Sequence, residues 1–165
     1  MRNPRSELSD TVLVIGLGSP IMTDDAVGLK VAETVEAMNI AGVETRQEAI
    51  GGLDIIPMMM GHRSVIIVDA IRTEAYEPGT VIIFDPEDLE PTVAQASAHE
   101  INLATAIRMG RQLEPGSMPA SVKFVAIEAQ DIMTVSETMT EAVSNAVPDA
   151  VDAVLSLIKE AQMST

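Results

Sequence analysis

The sequence predicts a three-layer α/β/α domain around a mostly parallel sheet of about five strands. Three observations carry this: apolar runs rich in β-branched residues, helical stripes falling between most of them, and a length of 165 residues that suits one domain. Runs that are apolar at consecutive positions fit strands covered by helices on both faces, as in parallel sheets. The whole of 1–165 reads as one domain, with 1–10 as a loose polar arm.

The first strand is expected at Val12-Leu13-Val14-Ile15, stopped by Gly16-Leu17-Gly18. Further strands are expected at 43–49, 64–68, 80–84 and 121–127. Val27, Val31, Val35 and Met38 recur on one helical face after the first strand, and Leu103, Ala104 and Ile107 do so before the last. Val147, Ala150, Val151, Val154, Leu155 and Ile158 form a closing stripe. A proline is tolerated in a first helical turn, so Pro148 sets that helix at about 148–161. The short link at Glu77-Pro78-Gly79 permits one antiparallel hairpin between the third and fourth strands, which makes a mixed sheet possible. Met58-Met59-Met60 reads most simply as core filling, although flexible Met side chains also suit a surface that receives a peptide.

Composition narrows the function. With 47% hydrophobic and 21% charged residues the chain is an ordinary globular sequence. Twenty-five Asp and Glu against ten Lys and Arg give a net charge of −15, which opposes phosphate backbones and anionic membranes. No nucleic-acid or membrane partner is expected. No run approaches a membrane span and the N-terminus lacks the apolar core of a secretory signal, so the expected location is the cytoplasm. There is no cysteine, so any metal site must be built from Asp, Glu and His.

In open α/β sheets ligands gather outside the carboxyl ends of the strands. Asp24 and Asp25 follow the first strand, Asp69 closes the third, and His99 opens the helix after the fourth, so all belong on that edge. Each has a plainer reading: Asp24 or Asp25 as a helix cap, Asp69 as a turn residue, His99 as a surface residue of the helix opened by the Ser97-Ala98-His99-Glu100 capping box. At a helix start an imidazole is kept neutral by the helix dipole, the form a metal requires. His62 precedes the third strand and falls on the opposite edge. Gly16-Leu17-Gly18 lacks the third glycine of a dinucleotide fingerprint, Ile21 standing there, and neither a Walker loop nor a Gly-x-Ser-x-Gly elbow occurs. Two carboxylates and one imidazole suit a divalent transition metal such as nickel or zinc.

These residues lie in motifs that resemble the hydrogenase maturation endopeptidases, which remove a C-terminal peptide from the large subunit of nickel-iron hydrogenases. The resemblance is carried by Val14-Ile15-Gly16-Leu17-Gly18-Ser19, Thr23-Asp24-Asp25-Ala26-Val27-Gly28, Gly51-Gly52-Leu53-Asp54, Val68-Asp69-Ala70, Ser97-Ala98-His99-Glu100 and Ile127-Glu128. It implies a phosphorylase/hydrolase-like fold, an aspartyl-type endopeptidase, and Asp25, Asp69 and His99 as both the catalytic and the nickel-binding residues. It also implies that nickel arrives inside the large-subunit precursor, with zinc or cadmium able to stand in for it in vitro; a small factor that docks briefly on a larger subunit has no need to be a dimer, so a monomer is expected. Either a metal-bound water or a water activated by a carboxylate then attacks the peptide. The family usually has Asn at Ser19 and Pro at Ala129, departures that bear on substrate choice. The alternative is a nickel-sensing module that binds the precursor without cutting it.

Overall fold

The computed structural model describes residues 8–49, 52–88 and 98–164, without the side chains of 52, 53 and 98–101. Its strands are β1 (Ser9–Leu17), β2 (Val43–Glu48), β3 (His62–Ile71), β4 (Val81–Phe84) and β5 (Ser121–Glu128). Its helices are α1 (Val27–Ala37), α2 (Ile56–Met59), α3 (Ala98–Leu113) and α4 (Glu141–Met163). The strands form one sheet in the order β2-β1-β3-β5-β4. β4 alone is antiparallel, against β5. The expected α/β class and mostly parallel sheet are therefore present.

The apolar runs sort their side chains by the two-residue period of a strand. Val12 and Val14 of β1, with Ile66 and Val68 of β3, pack under α1 and α4. Leu13, Ile15 and Leu17, with Val65 and Ile67, pack against Leu103 and Ile107 of α3 on the other face. Two cores on one sheet explain why these runs are apolar at every position. Met59 is fully buried in the second core, with Met58 and Met60 packed against it, so the methionine run is core filling. β2 is an edge strand and stays only half-buried, which is why charged residues are acceptable along it.

Four expectations are corrected. Ser9 and Asp10, expected in a loose arm, belong to β1, where the Ser9 N–H bonds to the Gly61 carbonyl at 2.7 Å; residues 1–7 of the expected arm lie outside the described residues. β3 and β4 form no hairpin, since β5 lies between them. The link instead crosses the end of β5, with Gly79 N–H donating to the Glu128 carbonyl and Glu128 N–H to that of Thr80. The last helix begins at Glu141, so Pro148 lies inside it. Pro148 and Ser144 are both exposed, so the Ser144 carbonyl that loses its partner faces water, while Val143, Ala146 and Ala150 anchor the buried side. Finally, β3 continues through Ile71, so Asp69 sits within the strand, paired with Ala126, rather than closing it.

Gly28 decides how α1 meets the sheet. A Cβ there would stand 2.4 Å from the Leu17 carbonyl oxygen and 2.5 Å from that of Val68. Only glycine lets the first turn of α1 rest on the ends of β1 and β3 together. That contact brings the turn before α1 to the end of the strand that carries Asp69.

Candidate active site

Gly18 ends β1 at φ +150, and the chain then makes a 3-10 turn, Thr23–Ala26, which packs against β3. Successive residues of such a turn point about 120° apart, so neighbouring carboxylates part company. Asp24 turns inward and is fully buried. Its Oδ2 accepts the N–H groups of Gln130 and Asp131 at 2.9 Å, and its Oδ1 accepts the Thr140 N–H at 2.8 Å. The Thr140 hydroxyl donates to the same carboxylate at 2.9 Å. Asp25 stays half-buried, its Oδ2 accepting the Ser19 N–H at 2.8 Å.

Neither aspartate caps a helix, contrary to the plainer expectation. Ala26 occupies the position before α1 and makes no side-chain cap bond. The 3-10 turn inserted before the helix directs Asp24 to the 130–140 loop and Asp25 to the Ser19 amide. Around Asp24 the two loops are laced backbone to backbone. Thr23 N–H donates to the Ser136 carbonyl, Asp24 N–H to that of Asp131, and Ser136 N–H to that of Ile21, at 3.0, 3.0 and 2.9 Å. Thr23 adopts φ +52, a left-handed conformation that costs a β-branched residue energy, and its hydroxyl bonds to the Thr134 carbonyl at 2.5 Å.

Asp69 is 4% exposed. It shares its side of β3 with Val65 and Ile67, the side that α3 covers. His99 is the second residue of α3, and its side chain lies outside the described residues. Its position along the fold follows from the backbone. The chain just past the far end of α3 is tied to the start of β3 by the Gly61 N–H bond to the Ser117 carbonyl at 2.8 Å. A helix of 16 residues is about 24 Å long, so its first turn lies at the opposite edge, beyond the carboxyl ends of β1 and β3. His99 thus reaches the expected edge by the direction of α3; the antiparallel β4 ends at the other one.

Topology therefore brings Asp25, Asp69 and the backbone of His99 to one edge. Among the described residues no three His, Asp or Glu gather into a metal-holding group, His99 being outside those searched. The Ser97-Glu100 capping box and Gly51 also fall outside them, while Asp54 is exposed on the 3-10 turn Gly52–Ile55. His62 lies at the far edge as expected, with Nε2 3.2 Å from Glu44 Oε2.

Two positions carry roles that the sequence did not assign. One is Asp24. The other is Glu128, 1% exposed at the end of β5, which accepts the Thr73 N–H at 3.0 Å, the Thr73 hydroxyl at 2.9 Å and the Glu74 N–H at 2.7 Å. It fastens the link that crosses from β3 towards β4. Its signal was available: like Asp69, it is a carboxylate directly after an apolar run of the sequence. On the 130–140 loop, the Thr134 hydroxyl and then the Thr134 and Met133 N–H groups hold the Asp131 carboxyl below its usual range, so that half-buried residue is anionic at neutral pH.

A sequence model of the family described as "HycI: Hydrogenase maturation protease" matches residues 50–157, more than half of the chain. The chain is 26% identical over 152 residues to the hydrogenase 2 maturation protease of Escherichia coli strain K12, covering 90% of this chain and 91% of that one. It is 28% identical over 146 residues to Protein FrxA of Pyrococcus furiosus, covering 86% and 100%. Its fold resembles the hydrogenase maturating endopeptidase HybD from E. coli, at a TM-score of 0.76 and 24% identity over 90% of this chain and 92% of that one. The [NiFe] hydrogenase maturation protease HybD from Thermococcus kodakarensis gives a TM-score of 0.71 at 23% identity, over 89% and 98%.

Proposed function

The chain belongs to the hydrogenase maturation protease family, and from that premise we propose that it cuts the C-terminal extension from the nickel-loaded large-subunit precursor of a nickel-iron hydrogenase, using Asp25, Asp69 and His99. The observation that supports this reading is the pair of carboxylates at the carboxyl ends of β1 and β3, one oriented by the Ser19 amide and the other nearly buried. Nickel belongs to the substrate. Two carboxylates with a neutral imidazole are suitable donors for a divalent cation offered by another protein. A precursor without nickel would not settle on this acidic edge, so engagement reports loading.

Hydrolysis then needs a water to lose a proton as it attacks the peptide carbonyl, and the departing amine to gain one. A carboxylate within hydrogen-bond reach of that water performs both transfers, accepting the proton during attack and returning it to the nitrogen as the C–N bond breaks. The Ser19 bond fixes one Asp25 oxygen and thereby the direction of the other.

Intact mass of the precursor before and after mixing with the protein tests the reading. Asp25→Asn and Asp69→Asn should each slow release of the C-terminal peptide by about 100-fold or more, the usual worth of a general base. Normal processing by Asp25→Asn would overturn the assignment. Binding of precursor by the wild-type protein with no mass loss would instead favour the non-cutting module.

A further inference from the structure

Beside the site stand three large apolar side chains in water. Met133 is 74% exposed, Val135 73% and Ile21 49%. They sit on two segments that are one unit in space. Ser136 N–H donates to the Ile21 carbonyl, Met22 and Ser136 form a parallel bridge, and the Thr23 hydroxyl bonds to the Thr134 carbonyl between the two exposed residues of the loop. The segment that carries Ile21 also carries Asp25, whose N–H closes back onto the Met22 carbonyl at 3.1 Å.

Exposed apolar side chains on a floppy loop are commonplace, but these are held. The buried Asp24 carboxylate ties both ends of the loop, through Gln130 and Asp131 on one side and Thr140 on the other. Asp131 ties its interior through the Met133 and Thr134 N–H groups. A loop backbone held this way has little freedom left to lose when a partner covers it, which favours association. Their cost in water without a partner is the usual mark of an interaction site.

Charge selects the partner. The patch is bordered by Asp25 and the anionic Asp131, with one cation, Arg72, near Asp131, and the chain as a whole carries −15. A second copy would bring the same acidic edge into contact with itself and be repelled. The complementary partner carries apolar side chains together with positive charge. Building on the proposed function above, we infer that Ile21, Met133 and Val135 form a docking lip for the precursor, receiving an apolar stretch of its chain beside the scissile bond while its bound cation meets Asp25 and Asp69.

The test is steady-state cleavage and direct binding of a purified nickel-loaded large-subunit precursor from the same genome. The double variant Met133→Ser/Val135→Ser should raise KM and Kd by about tenfold or more, as when interface anchors are truncated. Its kcat at saturation and its melting temperature should stay at the wild-type values, because neither side chain is buried. Met133→Leu should keep near-normal KM. An unchanged KM and Kd in the double variant overturns the lip, as does a wild-type protein that neither binds nor cuts this precursor. Tight wild-type binding that the double variant loses, without cleavage by either, upholds the lip and removes the peptidase reading instead. A wild-type dimer in sedimentation velocity that the double variant abolishes would mark the patch as a self-interface and overturn the proposal.

Discussion

The two edges of the sheet handle carboxylates in opposite ways. At the amino-terminal edge they are exposed and paired with side-chain cations. Asp10 meets Arg63 at 2.8 Å, Glu44 meets Arg46 at 2.9 Å and His62 at 3.2 Å, Asp85 meets Lys123 at 2.6 Å, and Glu87 meets Arg111. At the carboxyl edge Asp24 and Glu128 are buried and held by backbone N–H groups and threonine hydroxyls, and Asp25 by a backbone N–H. Amide dipoles satisfy the oxygens without cancelling the charge. One edge is a solvated surface whose exposed carboxylates meet side-chain cations; at the other the exposed Glu74 meets Arg72 at 3.4 Å, while the carboxylates of Asp24, Asp25 and Glu128 are held by amide and hydroxyl donors.

Substitutions at either edge test this difference. The largest effect should come from Gly28→Ala, because the added carbon meets backbone oxygens at 2.4 and 2.5 Å and neither can give way alone. Displacing α1 should cost about 3 kcal/mol in urea unfolding and reduce precursor cleavage as well. Asp24→Asn comes next. It sets an amide N–H₂ against backbone donors that now bond to the carboxylate, so a loss of about 2 kcal/mol is expected, with reduced cleavage because the turn bearing Asp25 is released. Thr140→Val, which keeps the backbone bond and removes the hydroxyl, should cost about 1 kcal/mol by the same unfolding measurement.

The smallest effect belongs to the other edge. Bonds from His62 and then Arg46 hold the Glu44 carboxyl below its ordinary value of 4.5. With the folded value lowered, that contribution is present above the unfolded carboxyl pKa and fades as pH falls through the folded one. Urea unfolding of Glu44→Gln should differ from wild type by less than about 1 kcal/mol at pH 7, because the pair is solvent-screened, and by less still at pH 3. Its precursor cleavage should be unchanged; a Glu44→Gln variant as impaired in cleavage as Asp24→Asn would erase the contrast between the edges.

Much of this was legible in the chain, because strand patterning and chain order are local. The apolar runs marked the buried strands, alternation with helices set the layers, and the positions of Asp25 and Asp69 just past or near strand ends set the edge. What could not be read depends on distant partners. Nothing near Asp24 distinguishes it from Asp25, since its donors lie 106 to 116 residues further on. The direction of β4 depends on β5 entering between it and β3. The seven residues that α4 adds before Pro148 depend on Thr140 being held by Asp24 and on the proline facing water.

On the proposed function, the carboxyl edge waits for a cation that the substrate supplies. That dependence is tested most directly by the intact mass of a large-subunit precursor, nickel-loaded and nickel-free, each incubated with this protein. Loss of a C-terminal peptide from the nickel-loaded form alone is expected. Equal cleavage of both forms would contradict it.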